Sequence, residues 1–147
     1  GAAIGGGATI LLHFDAVFIC PEAKIKYPFS DLGLAPEVGS SYLLFQALGY
    51  QKAAQLLFES KPIDGKTYFE LGLAKYVGED FLIKANAYAH ALKEQSLGSI
   101  METKAILKSF TEDDLIKARS LETQAMKRLF GSEENLKAVE KFFARKK

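Results

Sequence analysis

The chain has 147 residues, 48% of them hydrophobic and 25% charged, with a net charge of +1. That composition supports one folded core and excludes a disordered chain. The balanced charge excludes the broad basic field of a nucleic-acid binder, and the longest apolar run, at residues 16–20, is far too short to span a membrane. Neither nucleic acid nor membrane is therefore an expected partner. Cys20 is the single cysteine, so no internal disulfide can form; a reducing compartment fits, and a cytoplasmic location is expected. Cys20 lies in an apolar run and reads as a packed structural thiol. His13 and His90 have no Cys or His partner at ligand spacing, so no metal site is expected.

In chain order, Gly5, Gly6 and Gly7 precede an apolar run, residues 8–14, that reads as a buried helix starting at the glycines. No structure is expected ahead of them. A glycine-rich functional loop at the first residues implies preceding sequence, so the chain reads as a fragment. Residues 16–20 predict a short buried strand ended by Pro21, and residues 24–27 alternate as a strand with one covered face. Pro36 suits the first turn of a helix through Leu43, Leu44 and Ala47, with Gly49 just past its end. A further helix spans about 51–58. Asp64 can cap another that runs to Gly72, and residues 73–77 read as a last strand.

From about Phe81 the pattern turns helical. Phe81, Ala85, Tyr88, Ala89 and Leu92 recur at helical spacing, as do Leu115, Ala118, Leu121, Ala125 and Leu129. Thr111 with Asp114 resembles a capping box, Gly131 ends that helix, and Ser132 with Glu133 and Glu134 starts the last one. The expected architecture is an α/β segment over residues 1–80 followed by an all-helical region over 81–147.

Two places carry candidate chemistry. Glycines at a helix start let a ligand approach the backbone and leave N–H groups pointing outward, which suits a phosphate or a developing oxyanion; close packing without a ligand is the plain alternative. The dinucleotide fingerprint fails because Ile10 takes the third glycine position, and the Gly-Lys-Ser/Thr ending of a Walker loop is absent. Glu37 is the only charged side chain between Asp31 and Lys52. It reads either as a first-turn charge on the helix dipole or as a base in apolar surroundings that include Phe29 and Leu34. His13 reads as a satisfied core histidine, and Ser30 and Asp31 as shaping the turn before Gly33.

Read together, GAAIGGG, FDAVF, PFSDLGLAPEVGSSYLL and the run from SKPID to ELGLAKYV resemble the crotonase, or enoyl-CoA hydratase/isomerase, superfamily in order and spacing. The likeness corresponds to about the second half of a family member. It implies a crotonase-like spiral of strands and helices over 1–80 and an oligomerisation region of helices over 81–147. It implies an acyl-CoA substrate, with coenzyme A as part of that substrate and no separate cofactor, and a homo-trimer or hexamer.

In the family, the middle glycine of the triplet, here Gly6, offers one of two N–H groups that bind the thioester oxygen; the other comes from an earlier loop. Activity would then depend on an N-terminal half. Hydratases carry two glutamates where this chain has Thr9 and Phe29, so hydration is not expected. The LGLAPEVGSS stretch is similar to the peroxisomal-type 3,2-enoyl-CoA isomerases, with Glu37 where their base stands and Val38 where glycine is common. The resemblance thus implies Glu37 and Gly6 as catalytic, and Gly5, Gly7, Phe29, Leu34, Arg145 and Lys146 as substrate-binding. The alternative is a non-catalytic crotonase-like module that binds acyl-CoA or a protein and is inactive as a fragment.

Overall fold

A computed structural model describes residues 1–144. Its strands are β1 (Ala2–Ile4), β2 (Phe18–Ile19), β3 (Lys24–Lys26), β4 (Ile63–Asp64) and β5 (Tyr76–Val77). Its α-helices are α1 (Gly6–Thr9), α2 (Ser40–Leu48), α3 (Tyr50–Glu59), α4 (Gly65–Glu70), α5 (Phe81–Lys93), α6 (Leu97–Ser109), α7 (Glu112–Leu129) and α8 (Glu133–Ala144). The fold is α/β, with strands and short helices first and long helices after them.

β3 is the middle strand of the larger sheet, parallel to β1 and antiparallel to β4, with Ile25 opposite both Ala3 and Ile63. β2 and β5 pair in parallel, Phe18 opposite Tyr76. The alternation seen in residues 24–27 has its physical meaning here: Ile25 and Tyr27 are 0% and 1% exposed, while Lys24 faces out. With Phe29, Leu44, Leu57 and Tyr68 they form the core, each large side chain contributing about 1.5–3 kcal/mol on burial. Burial also pushes the Tyr27 and Tyr68 phenols up, so both stay neutral.

Several expectations change. Residues 2–4 are not a structureless lead-in: β1 is held by its ladder to β3, a partner distant in sequence. The helix after the glycines is a short α-helix continued by a 3-10 turn (Ile10–His13), and only Ala8 and Thr9 are buried in it. Ile10 is 48% exposed. α2 starts at Ser40 rather than at Pro36, since Val38 and Gly39 both take positive φ and cannot continue a helix. Thr111 precedes α7, but its hydroxyl donates back to the Lys108 carbonyl instead of capping the new helix.

Other local signals hold. The Asp64 carboxylate accepts from the Thr67 N–H at 2.8 Å at the start of α4, and Ser132 accepts from the Asn135 N–H before α8.

The long helices attach at separate points. Tyr88 of α5 packs its ring 5.6 Å from that of Phe18, with the Lys75 ammonium 4.6 Å above it. α7 lies against α2 and α6 against α7. α8 docks through Asn135, whose amide donates to the Leu32 carbonyl at 2.7 Å. No helix among the described residues is long and apolar enough to cross a membrane.

Candidate active site

Gly5 takes φ 58, a conformation that favours glycine, and its N–H donates to the Lys26 carbonyl of β3 at 3.0 Å. Its own carbonyl accepts from the N–H groups of Ala8 and Thr9 at 2.8 and 2.9 Å. The N–H groups of Gly6 and Gly7 therefore precede the first intrahelical bond and have no acceptor within the helix. Thr9 is fully buried, and its hydroxyl turns back to donate to the Gly6 carbonyl at 3.1 Å. Thr9 thus fastens the glycine loop from inside.

A Cβ added to Gly6 would stand 3.5 Å from Glu37 Oε1. The fold has carried the one carboxylate of a distant loop to the side of the glycine loop. Glu37 is half-buried and lies before α2 rather than in its first turn, so it is not the dipole charge of that helix. That role falls to Glu122 of α7. Its carboxylate, 6% exposed, accepts from the Gly39 N–H at 2.6 Å and from the Ser41 N–H and hydroxyl at 2.9 and 2.6 Å.

Gly39 has φ 76, a conformation that favours glycine, and a Cβ there would push the Leu115 side chain of α7 from its place at 2.3 Å. His13 is satisfied but not in the core: it is half-buried, and its Nε2–H donates to the Val38 carbonyl at 2.8 Å.

Beside these residues lies a cleft of about 660 Å³, with Pro36, Glu37 and Val38 on one wall and Arg119, Met126, Lys127 and Phe130 on the other. Phe29 and Leu34 do not face it. They line an adjoining cleft of about 340 Å³ that shares Pro36 with the first, and Phe29, 5% exposed, belongs to the core as well. Gly5, Gly6, Gly7 and Glu37 are thus brought together, Phe29 and Leu34 stand one wall away, and Arg145 and Lys146 lie outside the described residues.

The sequence carries a signal for Glu122. Leu115, Ala118, Glu122, Ala125 and Leu129 form the inward stripe of α7, whereas Leu121 is 56% exposed. A lone acid in a buried stripe needs a hydrogen-bonding partner.

A family model described as enoyl-CoA hydratase/isomerase matches residues 1–147. Enoyl-CoA delta isomerase 2 of Rattus norvegicus is 28% identical over 99% of this chain and 38% of its own length. A probable enoyl-CoA hydratase of Bacillus subtilis is 28% identical over all of this chain and 58% of its own. The crystal structure of an enoyl-CoA hydratase/isomerase from Pseudoalteromonas atlantica superposes with a TM-score of 0.92 at 27% identity, over 99% of this chain and 59% of that one. The chain spans well under two thirds of the length of each.

Proposed function

This chain belongs to the enoyl-CoA hydratase/isomerase family, and from that premise we propose that it carries the base and one oxyanion donor of an enoyl-CoA isomerase. The reaction moves a double bond from the 3 to the 2 position of an acyl-CoA thioester. Glu37 takes a proton from C2, the Gly6 N–H supports the charge that develops on the thioester oxygen, and the proton returns at C4. The observation that carries this reading is the 3.5 Å approach of Glu37 Oε1 to the Gly6 position at the edge of a large cleft.

Hydration is the weaker reading. It needs a second carboxylate to activate water, and at the two hydratase positions Thr9 is fully buried on the Gly6 carbonyl and Phe29 is packed in the core. Gly5 and Gly7 shape the loop, Phe29 and Leu34 form the apolar wall next to the cleft, and Arg145 and Lys146 are proposed cations for the nucleotide end of coenzyme A.

The test is Glu37→Gln assayed with a 3-enoyl-CoA in the intact protein. Turnover falls by about 10²- to 10⁴-fold while acyl-CoA affinity is kept. Unchanged turnover removes Glu37 as the base, and no turnover in either form with intact acyl-CoA binding favours a binding module.

The same protein would work as a homo-trimer or hexamer. Ile83 of α5, Leu97 of α6 and Phe110 are 70%, 71% and 75% exposed, and a second copy would cover such residues. Light scattering at micromolar concentration should give three or six subunits; a monomer there ends this proposal.

A further inference from the structure

Val38 is one of two described non-glycine residues with positive φ, at 59°. The other, Ser60, ends α3, where a left-handed residue is common. Val38 ends no helix, and a β-branched side chain in that region is strained, so its surroundings must hold it there. The peptide that follows it is gripped at both ends. Its carbonyl accepts from His13 Nε2–H at 2.8 Å, and its N–H, that of Gly39, donates to Glu122 at 2.6 Å. His13 closes the 3-10 turn that continues α1 from Gly6, and Glu122 lies on α7, the far wall of the cleft. The two grips therefore come from the two elements that bound the site.

The plane of this peptide sets ψ of Val38 and φ of Gly39, and so the turn that links Glu37 to α2. Glu122 has further partners on Ser41 that hold it in place. The carbonyl grip rests on His13 alone among the described residues. We infer that His13 is a positioning residue: by holding Val38 in its strained conformation it keeps the Glu37 carboxylate beside Gly6. Without it Val38 relaxes, the peptide turns, and the 3.5 Å approach is lost. This inference rests on Glu37 being the base.

The test compares His13→Leu, His13→Gln and the double variant His13→Leu/Val38→Gly with Glu37→Gln in the intact protein, using isomerase kinetics and the NMR shift of the Gly39 amide. His13→Leu lowers kcat about tenfold, with KM within about twofold. His13→Gln, whose amide N–H reaches the same carbonyl, stays within about threefold of the parent. Val38→Gly removes the strain and restores most of what His13→Leu loses. The Gly39 amide shifts in His13→Leu and stays in place in His13→Gln.

Full kcat in His13→Leu alongside a dead Glu37→Gln overturns the inference and leaves the isomerase reading standing. A His13→Gln as slow as His13→Leu, or a double variant no faster than His13→Leu, also overturns it, since His13 would then act through general packing. If Glu37→Gln has no effect, the isomerase reading fails instead. An unmoved Gly39 amide in His13→Leu removes the clamp whatever the kinetics say.

Discussion

Residues 1–80 and 81–144 are held by different forces. The first region contains every buried hydrophobic side chain among the described residues, from Ala8 to Tyr68. In the second, α5 and α6 bury no residue fully, α7 buries Glu122 and α8 buries Asn135. Both of those polar side chains hydrogen-bond backbone of the first region, Glu122 at Gly39 and Ser41 and Asn135 at Leu32. One region is stabilised by a non-directional core. In the other, α7 and α8 are attached by directional polar clamps and α5 by the packing of Tyr88 on Phe18. These clamps close on the two ends of the segment that carries Glu37, so the helices set the geometry of the site.

Three substitutions would break or sharpen that contrast. Leu44→Ala, at a fully buried position, should lower unfolding stability by about 2–5 kcal/mol in chemical denaturation. Glu122→Ala should cost about 2–3 kcal/mol by leaving buried N–H groups of Gly39 and Ser41 unpaired. It should also expose the Gly39 amide to hydrogen exchange; a neutral result would show that the seam is not polar in origin.

Leu97→Ala, at a residue 71% exposed, should change the stability of the chain's own fold by less than about 0.5 kcal/mol. A larger loss that grows on dilution would locate Leu97 between chains.

The smallest effect belongs to the Asp64 cap. The Thr67 N–H holds this carboxyl below its usual value of 3.8. Because the folded value is the lower one, the cap is fully present above the ordinary carboxylate range and is lost as pH falls through that range and below it. Asp64→Asn should therefore flatten the acid limb of a Tm-against-pH curve slightly and leave Tm near neutrality almost unchanged; an identical acid limb in both proteins would count against the cap.

What the sequence determined by itself was local or carried by resemblance: the alternation of Ile25 and Tyr27, the Asp64 and Ser132 caps, the glycine ends of helices, and the motif order that marks the family. Each depends on neighbours within a few residues, where side-chain period and capping chemistry are written directly into the chain. The sequence alone starts α2 at Pro36 because proline is a fair first-turn residue, whereas the helix begins at Ser40. Nothing local shows that Val38 adopts positive φ; that takes a hydrogen bond from His13 and the packing of Leu115 against Gly39.

Tertiary structure alone decided that Glu37 lies beside the glycine loop, that Glu122 rather than Glu37 serves the N-terminus of α2, and that Phe29 and Leu34 face a second cleft. Those outcomes join residues up to 83 positions apart. A contact at that range is set by how strands pair and helices dock, which no short window of residues records.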